Sequence, residues 1–443
     1  MTKNIKTLKE CFEFVKKTKK NKLVEKISAG LYVCYCVLGI PIIIKHFSPN
    51  FKIKFYIYNI PLLSLSRKPR VGTIKLNENR AKRIYFNVGS LFFTKNNTGI
   101  PRVVAELSKT GLMQSEIEFK PIYADPVTGT YRILNQIDDT RELSEVGDEI
   151  DLRKGDVLIH SMINVNELDF NKDFFQQAKK IGIKVLFILY DLIPIDYPEY
   201  YKKRDTKLFS KWLEEATKFD GFLAISNYSK ERLMHWSQET KTSIPPVQVF
   251  GLGSNFSPSN EDRDTTEKIP VEKPYYLMVG TIEPRKGHED VLEAFDEYWD
   301  KGGQARCVFV GRKGWKVRQI VQRLEHHKEF NHKLFWLKGI EDSVLKKLYN
   351  EAEAVIVAAH VEGYGLPIVE ALNYKKTVLA RDIPIFREIG GEFIQYFKDP
   401  SELASLISKG KNSYLQSKDY ESKNWHTSFK EMYKAITLIE NSI

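Results

Sequence analysis

The sequence has few cysteines for its length: four in 443 residues, at positions 11, 34, 36 and 307. So small and scattered a set does not suit a disulfide framework or a cysteine-ligated metal site, and it fits a reducing compartment best. Cys34 and Cys36 lie within an apolar run, where we interpret them as small hydrophobic residues. Hydrophobic residues make up 42% of the chain, which is enough to bury large cores and excludes wholesale disorder.

Two signatures of nucleotide binding are also missing, and the one candidate metal motif has the wrong setting. No Gly-x-x-x-x-Gly-Lys-Ser/Thr segment occurs, which argues against a P-loop nucleoside triphosphatase. No Gly-x-Gly-x-x-Gly segment follows the first candidate strand, which argues against a dinucleotide-dependent oxidoreductase. The one Asp-x-Asp, at residues 262–264, lies in a polar stretch without a strand before it. We interpret it as solvated charge and expect no metal site.

The net positive charge of the chain is concentrated at its N-terminus. Residues 1–70 contain 15 Lys and Arg against three Glu, whereas the remainder contains 53 basic and 54 acidic residues. A block of like charge is typical of an arm that binds an anionic surface. We expect this surface to be acidic lipid and not nucleic acid, because the aromatic residues of the arm lie among Ile, Leu and Val.

An 18-residue run without charge, residues 27–44, lies within this basic leader between Lys26 and Lys45. Its length is at the lower limit for a bilayer span, and Pro41 would interrupt a helix. The nine lysines before it, and the lack of a small-residue cleavage site after it, distinguish it from an ordinary secretory signal peptide.

The leader also contains a short internal repeat. Residues 38–43 (LGIPII) recur 20 positions later as residues 58–63 (YNIPLL), and apolar and basic residues alternate between them. This pattern favours a segment that lies in the headgroup zone of a membrane. A bilayer span, a soluble arm and a core helix of the first domain are the alternatives.

From about residue 83, apolar strands alternate with amphipathic segments, which predicts parallel sheets covered on both faces. In the first half we predict strands at 84–88, 119–123, 157–160, 185–190, 221–225 and 247–250, and helices at 100–109, 169–180, 207–218 and 230–237. A polar linker at 255–274 follows. In the second half we predict strands at 276–279, 307–310, 334–337, 354–358 and 377–379, and helices at 288–298, 315–327, 342–353 and 367–373. Two such domains would face each other across a cleft.

The most informative segment is a strand that runs into a glycine-rich turn, AVIVAAHVEGYGLPIVEA, residues 354–371. Pro367 suits the first turn of a helix, and the backbone N–H groups of such a turn favour a phosphate. Glu362 and Glu370 are eight residues apart, so both can reach one ligand, and carboxylates accept hydrogen bonds from sugar hydroxyls. The alternative for Glu370 is a helix cap or a solvent-facing residue.

This segment resembles the Glu-x7-Glu signature of the retaining glycosyltransferases of family 4. The resemblance implies an α/β fold of the GT-B type, in which two Rossmann-like domains face each other across a cleft that binds a nucleotide-sugar donor. Residues 279–288 (VGTIEPRKGH) resemble the family's loop in which an arginine and a lysine hold the donor diphosphate. Arg285 offers a planar fork and Lys286 a compact charge, which suits two adjacent phosphates. Residues 309–312 and 339–342 resemble the next strand-exit loops.

The first half carries weaker signals of the same family. Residues 97–103 (NTGIPRV) resemble its acceptor-side loop, especially in mannosyltransferases of surface-polysaccharide assembly; the alternative is an ordinary helix start. Gly99 would let the backbone approach the donor phosphate closely. Tyr190 and Asp191 stand where relatives often carry His-Asp, so the role of that histidine does not transfer. Asp191 can accept a hydrogen bond from a sugar, and His160 is either a cleft residue or a structural histidine.

The resemblance implies a role for each of these residues. The predicted catalytic residues are Arg285, Lys286 and Glu362, with Glu362 placing the donor sugar and Glu370 the nucleotide ribose. The predicted donor-binding set is Gly99, Gly280, Arg285, Lys286, Gly363, Tyr364, Gly365, Leu366 and Glu370. The predicted acceptor or sugar contacts are Asp191, His160 and Arg102. No cofactor beyond a GDP- or UDP-linked sugar is expected.

We therefore divide the chain into a membrane-associating segment (1–80), an acceptor domain (81–258), a nucleotide-sugar domain (259–415) and a C-terminal helix (416–443) that packs back on the acceptor domain. The expected function is transfer of a hexose, with mannose favoured by the resemblance, to a lipid-linked surface polysaccharide such as lipopolysaccharide or capsule. The expected location is the cytoplasmic face of the bacterial inner membrane. The alternatives are an epimerase or phosphorylase of the same fold and a non-catalytic glycan-binding scaffold.

Overall fold

The computed structural model describes residues 24–29, 32–37, 40–47, 52–57, 60–66, 83–89, 99–125, 130–135, 146–161, 165–254, 269, 271–410, 420–421 and 423–442. The leader contains an antiparallel sheet in which each strand pairs with the next, β1 (Val24–Ala29), β2 (Tyr32–Val37), β3 (Ile40–Phe47), β4 (Lys52–Ile57) and β5 (Ile60–Ser66). The uncharged run 27–44 is thus divided among three strands, and the core-helix alternative is wrong. Its content of Val and Ile suits strands, and Pro41 disfavours a helix.

The 20-residue repeat of the leader is a repeated β-hairpin. In the β2–β3 hairpin the pairing register shifts beside Cys36 and Pro41, and in the β4–β5 hairpin it shifts beside Tyr56 and Pro61. A bulge at this point is expected, because proline has no N–H to donate to the ladder. Among the described residues, no helix is both long enough and apolar enough to cross a bilayer.

The first large domain is built on an eight-stranded sheet. Its strands are β6 (Arg83–Asn87), β7 (Glu118–Asp125), β8 (Thr130–Leu134), β9 (Val146–Glu149), β10 (Val157–His160), β11 (Lys184–Leu189), β12 (Gly221–Ala224) and β13 (Val247–Val249), in the order β13-β12-β11-β10-β6-β7-β8-β9. The strands from β13 to β7 are parallel, as predicted, and β8 and β9 add an antiparallel edge that the sequence did not indicate.

Five helices connect the described strands of this domain: α1 (Ile100–Leu112), α2 (Val165–Ile181), α3 (Ile193–Asp196), α4 (Lys203–Ala216) and α5 (Asn227–Thr240). They cover both faces of the sheet with two separate cores, one of which contains Phe187 and Trp212 and the other Phe86 and Val104. Burial on both faces explains why these strands are continuous apolar runs in the sequence.

The second domain is an entirely parallel sheet in the order β16-β15-β14-β17-β18-β19. The strands are β14 (Tyr275–Val279), β15 (Arg306–Val310), β16 (Leu334–Leu337), β17 (Ala354–Val357), β18 (Thr377–Arg381) and β19 (Gln395–Phe397). Its helices are α6 (His288–Asp300), α7 (Arg318–Glu325), α8 (Asp342–Glu351), α9 (Leu366–Asn373), α10 (Pro384–Gly390) and α11 (Pro400–Lys409). Helix α7 begins later than predicted, because Lys316 has a positive φ of 55° that no helix contains.

The last described helix, α12 (Trp425–Glu440), returns to the first domain. Phe429, Met432 and Ile436 of this helix, which recur at three- and four-residue spacing, are buried in the core beside α1 and β7. The Ser428 hydroxyl also donates a hydrogen bond to the carbonyl of Gly251 at 2.6 Å. The C-terminal segment therefore connects the second domain back to the first.

Strand order locates the ligand-binding edge of both sheets. In the second sheet the chain runs outward from β14 through β15 to β16, then restarts at β17 on the other side of β14. The first sheet reverses in the same way between β6 and β10. Such switch points leave a crevice at the carboxyl ends of the strands, where α/β proteins bind their ligands.

Polar contacts join the two domains directly. The carboxylate of Glu388 on α10 accepts hydrogen bonds from the backbone N–H groups of Asn227 (2.7 Å) and Tyr228 (2.8 Å), at the first turn of α5 in the other domain. The indole N–H of Trp315 donates to the carbonyl of Tyr200 at 2.8 Å. These contacts therefore hold the carboxyl-end edges of the two sheets against each other.

Candidate active site

Two strand-exit loops of the second domain meet at its switch point. The loop after β14 carries Arg285 and Lys286 on a short 3-10 turn, and the loop after β17 carries Glu362. Gly287 makes their approach possible: its φ is 75°, and a Cβ there would lie 2.2 Å from the carbonyl oxygen of Ala358. The backbone N–H of His360 donates to the carbonyl of Arg285 at 2.8 Å. The two loops are thus fixed together.

Glu362 is the common partner of both predicted phosphate-binding cations. Its carboxylate accepts from Arg285 Nη1 at 2.9 Å and from Lys286 Nζ. Burial alone would raise the pKa of Glu362, but Arg285 and Lys286 outweigh it and lower the pKa to about 2. Glu362 is therefore ionised at neutral pH and is the carboxylate that pairs with both cations.

Arg285 is held by further contacts. Its Nε donates to Glu283 Oε2 at 3.0 Å, and its Nη1 also donates to the carbonyl of Val361 at 3.1 Å. Burial raises the pKa of Glu283, against the attraction of Arg285 and Lys286. Sequence reasoning missed Glu283, although it stands two residues before Arg285 in the loop already singled out. Gly280, in the same loop, lies beside the Lys286 side chain, whose Cε would be 3.9 Å from a Cβ at this position.

Asp191 follows β11 in the first domain and approaches the same loops from the other side of the crevice. A Cβ on Gly363 would lie 2.4 Å from the carbonyl oxygen of Tyr190 and 3.2 Å from Asp191 Oδ2. The backbone N–H of Ile193 donates to Asp191 Oδ1 at 3.0 Å. Burial raises the pKa of Asp191 to about 6, with Arg285 opposing the shift.

Glu370 lies on α9 and is buried, with 3% of its surface exposed. Arg102 Nη1 donates to its Oε1 at 2.6 Å, and the hydroxyl of Tyr349 donates to its Oε2 at 2.6 Å. Arg102 belongs to the first turn of α1, whose N-cap is Gly99 with a φ of 63°. The contact between Arg102 and Glu370 therefore crosses from one domain to the other.

Three predicted residues have side chains that the structure places away from the charged group. The Tyr364 hydroxyl donates to the carbonyl of Leu252 and accepts from its N–H, both at 2.9 Å, so this side chain is a contact between domains. Leu366 packs against the core of the first domain. His160 is 1% exposed and stacks on Phe187 with ring centroids 5.3 Å apart, which favours the structural alternative for it.

An aromatic pair beside the charged group was also missed. The rings of Tyr201 and Trp315, one from each domain, have centroids 5.8 Å apart. Burial raises the pKa of Tyr201, and the charge of Asp191 raises it further. No local spacing links positions 201 and 315, so only the folded chain brings them together.

Comparison with known proteins agrees with this geometry. Residues 259–425 match the family described as "Glycosyl transferases group 1". The second domain is a group 1 glycosyltransferase domain. It contains the strand-exit loops that carry Arg285, Lys286 and Glu362 and the helix that carries Glu370. The resemblance stated from the sequence is confirmed for this part of the chain.

Similarity to individual relatives of this glycosyltransferase domain extends into the first domain of the chain. The chain is 30% identical over 383 residues to a serotype-specific mannosyltransferase, WbdA, of Escherichia coli. The alignment covers 81% of this chain and 47% of WbdA, so the chain spans about half the length of that relative. A second relative, O-antigen chain mannosyltransferase B of the same species, is 24% identical over 226 residues, covering 49% of this chain and 58% of that one.

Solved structures share the fold. Alr3699/HepE of Anabaena, in a complex with UDP and glucose, has a TM-score of 0.55 at 14% identity, covering 81% of this chain and 100% of that one. Sucrose-phosphate synthase of Thermosynechococcus elongatus has a TM-score of 0.53 at 15% identity, covering 81% and 95%. The predicted GT-B architecture of two parallel-sheet α/β domains is confirmed.

Proposed function

We propose that the chain is a retaining hexosyltransferase that takes a hexose, mannose in the first instance, from a GDP- or UDP-linked donor. The observation that carries this proposal is the meeting of Arg285, Lys286 and Glu362 at the switch point of the group 1 domain, directly beneath Asp191 of the opposite domain. The mannosyltransferase names of its relatives support mannose as the sugar, and the UDP complex of a structural neighbour supports a nucleotide sugar as the donor.

The reaction breaks the bond between the anomeric carbon of the hexose and the terminal phosphate oxygen of the donor. The acceptor hydroxyl oxygen forms the new bond to that carbon on the same face, and its proton passes to the leaving phosphate. In this proposal Arg285, Lys286 and the N-terminus of α9 stabilise the charge that develops on the diphosphate. In this scheme no protein nucleophile is required, and Glu362 positions the donor sugar.

A panel of nucleotide sugars tests the proposal. Melting temperature is measured with GDP-mannose, UDP-glucose, UDP-galactose and UDP-N-acetylglucosamine, and product formation is measured with and without a glycan acceptor. We expect one donor to raise Tm by several degrees, since a ligand that binds the native state stabilises it by mass action. Sugar transfer that requires the acceptor excludes an epimerase, and a panel without any shift would overturn the proposal.

The raised pKa of Asp191 predicts a pH dependence of transfer. The ionised carboxylate accepts a hydrogen bond from a sugar hydroxyl and the protonated one loses much of that capacity, so kcat/KM falls as pH decreases through about 6. Asp191→Asn removes this acidic limb and leaves a low, flat profile. Asp205→Asn, which changes an exposed carboxylate on α4, keeps the limb. An acidic limb that persists in Asp191→Asn contradicts the role of this residue.

We further propose that the acceptor is a lipid-linked glycan of the cell surface and that the basic leader holds the enzyme on the cytoplasmic face of the inner membrane. The support is the 15 Lys and Arg of residues 1–70, four of which (Lys26, Lys45, Lys52 and Lys54) lie on strands of the leader sheet. The full chain should cosediment with vesicles of phosphatidylglycerol and not with vesicles of phosphatidylcholine alone. A chain without residues 1–70 should stay in the supernatant and still bind the donor; its retention on anionic vesicles contradicts the anchor.

A further inference from the structure

The buried carboxylate of Glu370 is held by two donors that come from different domains. Tyr349 lies on α8 of the same domain, whereas Arg102 lies on α1 of the first domain, 268 residues away in sequence. The charge of Glu370 and burial both raise the pKa of Tyr349, so its hydroxyl keeps the proton that it donates. If the two domains separate, Glu370 therefore loses the hydrogen bond from Arg102 and keeps the one from Tyr349.

The two bonds leave Glu370 half of its capacity to accept hydrogen bonds. A carboxylate offers about four lone-pair sites, two on each oxygen. Arg102 takes one site on Oε1 and Tyr349 takes one site on Oε2, and no other hydrogen bond to Glu370 occurs among the described residues. One site per oxygen stays open, which matches the two adjacent hydroxyls of a ribose.

The orientation of Glu370 depends on Arg102. Breaking a buried ion pair by removing one partner is costly, since it leaves a charge without compensation. With Arg102 withdrawn, Tyr349 alone holds one oxygen, and the carboxylate is free to rotate about that bond. Arg102 keeps 18% of its side chain exposed and Glu370 keeps 4%, so the arginine is the more accessible partner of the pair.

We infer that Arg102 is a positioning residue for nucleotide binding: by crossing the domain boundary it fixes the Glu370 carboxylate to receive both ribose hydroxyls only when the cleft is closed. This inference rests on the proposed function, because it takes the ligand of Glu370 to be a nucleoside diphosphate. Nucleotide affinity and domain closure are then thermodynamically coupled: closure raises the affinity, and bound nucleotide favours closure.

The test is a thermodynamic cycle between Arg102 and the ribose. Affinities for UDP, GDP and their 2′-deoxy analogues are measured by calorimetry for the wild type, Arg102→Ala and Arg102→Lys. We expect Arg102→Ala to weaken ribonucleotide binding about tenfold, since hydrogen bonds to charged groups are among the stronger ones. The 2′-deoxy substitution should weaken binding in the wild type and have much less effect in Arg102→Ala, because the two changes remove one interaction.

Controls keep the outcomes distinct. Lys109→Ala, at the other end of α1, should bind both kinds of nucleotide like the wild type, and Arg102→Lys should recover part of the loss. Tyr349→Phe should reduce the 2′-deoxy effect as Arg102→Ala does if Glu370 is the shared link. Equal losses for ribo- and deoxynucleotides in Arg102→Ala would overturn the inference alone, whereas a wild type that binds no nucleotide would overturn the proposed function as well.

Discussion

Lys286→Ala is expected to reduce kcat for hexose transfer by roughly 10²–10³-fold at saturating donor, which is the usual effect of removing one preorganised group that stabilises developing charge. Lys286 is a cleaner target than Arg285. Within the described part of the chain its ammonium bonds only to Glu362, whereas Arg285 also supports the loop through Glu283 and Val361. The loss in Lys286→Ala therefore reports on catalysis more than on local structure.

A matched lysine change separates this effect from general charge loss. Lys301→Ala removes an exposed lysine of the same domain, paired with Glu297 one helical turn away, and should keep the wild-type kcat. Lys286→Arg keeps the charge but not the compact ammonium, so an intermediate kcat is expected. A kcat within threefold of the wild type in Lys286→Ala would remove this residue from the mechanism.

Glu362→Gln should lower kcat by about 10²-fold and lower Tm by several degrees in the absence of ligand. The amide keeps the shape of the side chain but removes the negative partner of Arg285 and Lys286, and hydrogen bonds to charged groups contribute about 1.5–3 kcal/mol each. The folded-state pKa of Glu362, about 2, lies below its ordinary value of 4.5. The stabilisation is therefore fully present above about pH 4.5, and the Tm difference should shrink as pH falls toward 2.

Inorganic pyrophosphate provides the decisive readout for Glu362. In the wild type an added diphosphate competes with a carboxylate that already pairs with both cations, whereas in Glu362→Gln both cations have lost that carboxylate and Arg285 keeps its bond to Glu283. The same concentration of pyrophosphate should therefore raise Tm more in Glu362→Gln than in the wild type. Glu388→Gln, which changes a carboxylate outside the donor site, should respond like the wild type. Equal shifts in the wild type and Glu362→Gln would show that Glu362 does not occupy the anion position.

The sequence predicts the strand framework well for a physical reason. Strands buried on both faces, such as β11 and β15, are short uninterrupted apolar runs, and few other structures accept such runs between turn residues. The elements that were missed have no such signature: β8 and β9 are an antiparallel edge of mixed polarity, and β19 has three residues. The strands of the leader were also difficult to predict. Its apolar run suits either a helix or a strand, and only the pairing between strands distinguishes the two.

The sequence predicted those site residues that lie in recognisable single loops. Arg285, Lys286 and Glu362 each lie in a recognisable strand-exit loop, and the structure brings all three into contact. The direction of a side chain is a tertiary property, which is why Tyr364 was assigned to the donor and lies against Leu252. The partnership of Arg102 with Glu370 was equally invisible, since no pattern in one loop names a partner 268 residues away.

The contacts that join the domains have a consequence for how the protein responds to its surroundings. Three of these contacts use a charged side chain: Glu388 of α10 accepts from backbone N–H groups of α5, Lys316 donates to the carbonyls of Glu199 and Tyr201, and Arg102 pairs with Glu370. Partly exposed charge contacts weaken as the ionic strength of the medium rises, whereas apolar burial does not. The exposed charged contacts between the lobes are therefore expected to loosen as dissolved ions become more concentrated, whereas the bonds of Tyr364 to Leu252 and the packing of Leu366 are expected to persist.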